Sequence, residues 1–436
     1  MLGKQTKDVL VMGGAVFALF FGAGNLIFPP ALGASLGSDW LMGALGFCLT
    51  TVLLSFFSML AVAKSGSGLS DLSRNIHKPV QLGVGVVLML AIGPLLAIPR
   101  TGATTLEMGI EPLFAGIVNV NSWVVTGLYF LGVLFFSISP TGILDKIGKL
   151  LTPALVLTLG VIIVKSITNP LGEAVPLGFS QPFSFSFVEG YQTLDPLGGI
   201  VFTIATLNAL AEKGYTSKPQ KIRMIAKSAA IAGLGLIFIY TGLVYLGASG
   251  KLAVAGNLSR TAYFVALIEQ LLGTTGKYIL GIAVTVACFT TAVGLSVAAA
   301  VYFERITKGR LPYKATVVLV SVISFLLANL GVEQIVRFSA PLLVLIYPAV
   351  TVLIFLNLGG RRLNYTFSHR VPFYTALLFG FLSVLPTVGL EIKWLSQLLA
   401  YIPLSSYGFA WVIPTLLAAI AANIKDRLFG SKAKLV

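Results

Sequence analysis

Along the chain, apolar residues gather in blocks of about 20 residues or more, separated by short polar connections. Stretches such as Leu88–Ala97 and Leu150–Val164 run apolar without the period-two alternation of a barrel strand. Inside a bilayer only helices satisfy their own backbone groups over such lengths. The pattern predicts an all-α polytopic membrane protein of about twelve spans, near 9–36, 40–63, 82–106, 122–140, 147–168, 187–211, 226–249, 277–303, 315–331, 334–358, 371–390 and 399–424. The segment Ser259–Gly273 is apolar but too short to span, which predicts a lid-like helix lying at the outer surface. No soluble domain is expected. The first apolar block has a basic flank, but it is too long for a signal-peptide core and is read as a retained helix.

Two of these blocks are interrupted about midway. The first breaks at Gly22-Ala23-Gly24-Asn25, with Pro29-Pro30 following, and the sixth at Leu194-Asp195-Pro196-Leu197-Gly198-Gly199. They hold matching places in two successive groups of five spans, 9–168 and 187–358, with two extra helices over 371–424. Five is odd, so the second group enters the membrane from the opposite side, and the repeats are inverted within one transmembrane transport domain, 1–436. Paired interruptions of this kind point to a binding site near the midplane. Unwound backbone there offers N–H groups to an anion and C=O groups to a cation, a pairing suited to an amino-acid zwitterion and a coupling ion.

Composition fits this picture. Charged residues make up 10% of the 436, against about 25% in soluble proteins. The net charge of +15 would suit a nucleic-acid partner if it were clustered. With the N-terminus placed inside, 23 of the 30 Lys and Arg residues fall in inner segments, including Arg361, Arg362, Lys432 and Lys434. That bias predicts both termini in the cytoplasm and a cell inner membrane location, with lipid and not nucleic acid as the surroundings. Cys48 and Cys288 lie within predicted spans and suggest no disulfide framework.

Catalysis is not expected. No phosphate-binding loop occurs, since Gly276-Lys277 is followed by Tyr278. The two histidines, His77 and His369, fall in loops, and no His-Glu-x-x-His motif is present. Asp195 is the one acidic residue near the midplane, a costly place that makes it a functional candidate, although Asp195-Pro196 also suits a helix start. Phe20, Tyr191 and Leu197, beside the breaks, are candidates for an apolar pocket. Arg100 is read near the outer end of the third span, snorkelling, gating or pairing with Glu107.

The run Phe17-Ala18-Leu19-Phe20-Phe21-Gly22-Ala23-Gly24-Asn25-Leu26-Ile27-Phe28-Pro29-Pro30 resembles the opening helix of the branched-chain amino acid:cation symporter (BrnQ/LIVCS) family. Gly190-Tyr191-Gln192-Thr193-Leu194-Asp195, with Asn208-Ala209, resembles that family's sixth helix, and the similarity covers essentially the whole chain. The resemblance implies a LeuT-like fold of five plus five inverted spans and a symporter importing leucine, isoleucine and valine with Na⁺ or H⁺. No other cofactor and no obligatory protein partner is implied. The substrate site would comprise Phe20, Gly22, Ala23, Gly24, Asn25, Tyr191, Thr193, Leu194, Asp195 and Leu197. By similarity, a sodium site would take carbonyls of Ala18 and Phe21 with Ala287, Thr290 and Thr291 from the pattern Ala287-Cys288-Phe289-Thr290-Thr291. Asn25 and Thr193 match a second ion site kept by some relatives. A carrier for another amino acid, or an ion channel, remains the alternative.

Overall fold

The computed structural model describes residues 3–66, 68–114, 116–138, 143–250, 258–359, 366–390 and 392–429, and its regular elements are helices joined by short irregular connections. In chain order the elements are α1 (Lys4–Phe20), α2 (Ala23–Leu36), α3 (Trp40–Ser65), α4 (Lys78–Phe114), α5 (Ser122–Ile138) and α6 (Ile143–Thr168). They continue as α7 (Pro182–Glu189), α8 (Asp195–Glu212), α9 (Lys218–Ala248), α10 (Arg260–Ile306), α11 (Tyr313–Ala328), α12 (Val332–Leu358), α13 (Thr366–Thr387), α14 (Lys393–Ala400) and α15 (Val412–Phe429). Among the described residues the only strand-like pairing is an isolated bridge between Gly37 and Pro176.

Six of these helices are long and apolar enough to cross a membrane, and the bent pairs α1–α2 and α7–α8 raise the number to eight. Shorter apolar helices occupy Ser122–Ile138, Pro153–Thr168 and Tyr313–Ala328. Each predicted block thus meets a helix, but the last is displaced. Its apolar block spans 399–424, whereas α15 begins at Val412, because the chain between α14 and α15 turns through left-handed residues at Leu404 (φ 69°) and Gly408 (φ 78°). Apolar content hides such a turn, since Tyr401, Ile402 and Leu404 read like span residues. Arg361, Arg362, Lys432 and Lys434 lie outside the described residues.

The lid-like segment is helical, with Ser259 as its N-cap accepting from the Ala262 N–H at 3.2 Å. Gly273, at φ 68° and ψ −171°, turns it into the long apolar remainder of α10. A further break is not among those expected from the sequence. Within α4 the stretch Ala91–Leu95 is a π-type turn, with Gly93 at φ −100°, ψ −121° and Leu96 at φ −127°, ψ −61°. Pro94 has no N–H to give to a helical ladder, so the ladder of α4 is interrupted there.

The breaks are held by close helix contacts. A Cβ built on Gly33 of α2 would lie 1.9 Å from the Val244 carbonyl, and one on Gly247 of α9 would lie 1.9 Å from the Pro30 carbonyl. Helices α2 and α9 therefore meet backbone against backbone, the small-residue packing that replaces hydrophobic drive within lipid. This seats the second half of the broken first span against α9.

Candidate functional site

The first break arises where the helical ladder of α1 stops. Phe21 N–H still reaches the Phe17 carbonyl at 2.9 Å, but Gly22 N–H turns to the side chain of Asn25, 3.1 Å away. The Ala18 carbonyl thereby loses the ladder donor it would have had. The two half-helices meet at 72°. In the sixth span, a 3₁₀ turn over Gly190–Thr193 passes into Leu194, at φ 64° and ψ 8°, before α8 starts at Asp195 with Pro196 in its first turn. This pair is bent by 41°. Gly198 and Gly199, counted with the break in the sequence, are already helical. A left-handed leucine costs on the order of 1–3 kcal/mol and is retained where the surroundings enforce it.

The two breaks are stitched together by one polar cluster. Asp195 Oδ2 accepts from Asn25 Nδ2 at 2.8 Å and from the Tyr240 hydroxyl at 3.0 Å. Asn25 Nδ2 also touches the Tyr240 oxygen. All three residues are sealed from solvent, at 1% exposure for Asn25, 3% for Asp195 and 0% for Tyr240. Buried polar groups cost several kcal/mol unless paired, and each of these has a partner from a different span. Tyr240 is absent from the sequence-based candidates; in Ile237-Phe238-Ile239-Tyr240 it reads as one more apolar position on α9.

A cavity of about 40 Å³ opens beside this cluster. Of the expected substrate residues, Phe20, Gly22, Ala23, Gly24, Asn25, Thr193, Leu194 and Asp195 line it. Ile92, Ala97, Arg100, Thr101, Phe202, Thr291 and Leu295 add walls outside that expected set. Tyr191 and Leu197 are not in the lining. Tyr191 stacks on Tyr347 with ring centres 4.0 Å apart, and Leu197 is buried in the same core cluster as Leu194. Phe202, one turn beyond Gly198, meets Phe20 edge-on at 5.7 Å and supplies the aromatic surface instead.

Of the expected ion ligands, the Thr290 and Thr291 hydroxyls both bond back to the Ala287 carbonyl, at 3.0 and 2.9 Å. Each hydroxyl oxygen keeps lone-pair capacity after donating its proton. Thr291 lies against the first break: a Cβ on Gly22 would be 3.9 Å from its Oγ1. A neutral hydroxyl beside the carbonyl end of α1 is the kind of oxygen set a hard cation takes. Thr193 Oγ1 donates to the Gly190 carbonyl at 2.9 Å, and Asn25 Oδ1 is held by Gly22 N–H. Among the described residues no cluster of His, Cys, Asp and Glu could hold a metal ion.

Arg100 requires a correction. It does not lie at the end of its span or pair with Glu107; it is 4% exposed, on the far side of the Gly93-Pro94 break. Its Nη1 donates to the Gln192 carbonyl at 2.6 Å, and its guanidinium sits 5.3 Å from the centre of the Phe28 ring. Glu107 instead accepts from the Thr261 hydroxyl at 2.5 Å and from Val332 N–H at 2.8 Å, joining α4 to the lid segment and to α12. The lid segment carries ion pairs of its own: Arg260 pairs with Glu189 at 3.4 Å and Glu333 at 3.6 Å.

A family model described as "Branched-chain amino acid transport protein" matches residues 5–429. The chain belongs to that family. Among curated members of the branched-chain amino acid transport family, the permease BraB of Bacillus subtilis is 36% identical over 98% of both chains. The transport system 2 carrier protein of Pseudomonas aeruginosa is 35% identical over 98% of both. The permease BrnQ of Escherichia coli is 34% identical, over 98% of this chain and 97% of its own. Among solved structures, inward-facing Mhp1 superposes with a TM-score of 0.64 at 15% identity, covering 96% of this chain and 91% of that one. MhsT in complex with L-phenylalanine gives 0.55 at 16%, covering 96% and 98%. At such identities these likenesses concern the fold, which is the LeuT-like one of inverted repeats with broken first and sixth spans.

Proposed function

We propose that this family member is a secondary carrier that imports leucine, isoleucine and valine in symport with Na⁺ or H⁺ by alternating access. The observation that carries the reading is the buried Asn25–Asp195–Tyr240 cluster where two broken spans meet beside a cavity. The names of the curated relatives support the substrate class. Asp195 would receive the substrate ammonium, and the N–H groups at the start of α2 would face its carboxylate. Phe20, Leu194 and Phe202 would hold the branched side chain. An apolar pocket separates substrates differing by one methylene by only about 1–3 kcal/mol, which suits one carrier for all three.

A co-transported Na⁺ would be held by the Ala18 and Phe21 carbonyls with Ala287, Thr290 and Thr291, and Asn25 with Thr193 would form a second position. In this reading the bundle of the first, second, sixth and seventh spans rocks against the rest. The 23 inner Lys and Arg residues support cytoplasmic termini in a cell inner membrane. The decisive experiment is leucine uptake into proteoliposomes under independently imposed Na⁺ and pH gradients. Saturable uptake driven by one of them is the expected result. Unsaturable flux would indicate a channel, and competition by lysine or tryptophan but not valine would indicate another amino acid.

A further inference from the structure

We propose that Arg100 is a substrate-binding residue that selects for a free α-carboxylate, an inference that rests on the carrier reading above. Arg100 is 4% exposed at membrane depth, where an ionised side chain is expensive unless paired. Among the described residues it has no carboxylate within ion-pair distance; the ion pairs present involve Asp8, Glu189, Glu269 and Glu333. One of its nitrogens, Nη1, is occupied by the Gln192 carbonyl at 2.6 Å. Its Nε is buried with no hydrogen-bond partner.

The guanidinium lines the same cavity as Asp195. It also presses on the first turn of α2: a Cβ on Gly24 would lie 2.8 Å from Nη2 and 3.1 Å from Cζ. Gly24 thus leaves room for the guanidinium to sit beside the helix start, where N–H groups lack ladder partners. A Cβ there would push the end of the Arg100 side chain aside, and the backbone angle itself is ordinary. Planar guanidinium is suited to grip a carboxylate through two parallel N–H bonds, and the helix start adds donors of the same sense. The cavity then carries a cation-binding carboxylate, Asp195, and an anion-binding fork, Arg100, with apolar walls around them. That is the complement of a zwitterion, and an amine or amide lacking the carboxylate would leave Arg100 unpaired.

A purely bracing role for Arg100, holding the Gln192 carbonyl at the second break, predicts a different outcome. It would affect all ligands alike. The test is a binding competition on purified full-length protein, comparing leucine with leucinamide in the wild type and in Arg100→Gln. The expected result is strong preference for leucine in the wild type. In Arg100→Gln, leucine affinity should fall by about thirtyfold or more while leucinamide changes little, so the preference collapses. A preference unchanged by the substitution, or equal losses for both ligands, overturns the proposal. If Arg100→Gln does not fold, Arg100→Lys serves, because it keeps the charge but loses the fork; the preference should then drop about tenfold, and an intact preference overturns the proposal equally. Wild-type protein that binds no leucine at all would instead overturn the carrier reading, and this inference with it.

Discussion

At Leu194 a branched aliphatic side chain is carried on left-handed backbone, φ 64°, at the turn that delivers Asp195 to the cluster. The strain there is held by the neighbouring Asp195, which is fixed by Asn25 and Tyr240 from two other spans. Hydrogen bonds to a charged group are worth about 1.5–3 kcal/mol. Tyr240→Phe should therefore lower leucine affinity by about tenfold or more while folding is kept, as equilibrium binding would read. Unaltered affinity would separate Tyr240 from the site. The threonine pair behaves differently, because each hydroxyl already has an internal acceptor at Ala287. Replacing both Thr290 and Thr291 with Val should spare expression and abolish cation stimulation of uptake; persistence of that stimulation would remove them from the ion position.

Among the helices, the α2–α9 crossing leaves no room for growth. With carbonyls 1.9 Å from where a Cβ would stand at Gly33 and Gly247, neither side can yield, because the obstructing atoms are backbone. Gly247→Val should prevent a monodisperse protein from being recovered in detergent, by driving α9 away from the first break. The charged link over the lid segment makes the opposite kind of contribution. Arg260 joins the start of α10 to Glu189 on α7 and Glu333 on α12, and it faces the Phe28 ring at 5.5 Å. Glu333 is 47% exposed and its pairing contributes little, but Glu189 is 20% exposed and would lose its cation, so Arg260→Ala should destabilise by about 1 kcal/mol or more. Because the link crosses between segments that move apart in the proposed rocking, the same variant should raise labelling of a cysteine placed at Phe28, measured with a membrane-impermeant thiol reagent.

For the whole molecule, alternating access separates contacts within a moving body from contacts between bodies. Asp8 near the start of α1 pairs with Lys213 at 3.0 Å and accepts from the Tyr215 hydroxyl at 3.0 Å, tying the first span to the end of α8. Both ends belong to the bundle that would rock together. Asp8→Asn should therefore leave the transport rate within about twofold; a large loss in a proteoliposome assay would mean that this pair lies across the moving boundary. The spans, their helical nature and two of the broken helices were legible in the chain, because lipid imposes length, apolarity and internal hydrogen bonding on each segment separately. Gly and Pro mark places where a ladder can weaken, which exposed Gly22–Asn25 and the turn at Leu194-Asp195-Pro196, but they do so ambiguously: Gly198, Gly199, Pro29 and Pro30 are helical, while Gly93-Pro94 breaks α4. What each break faces depends on which helices pack together, and that information is spread over the whole fold. Tyr240 joined the cluster only because α9 crosses α2 at Gly33 and Gly247, and Arg100 reached the cavity only because Gly93 and Pro94 redirect α4. Local physics determined the segments, while close packing between distant segments decided which polar groups would share one buried space.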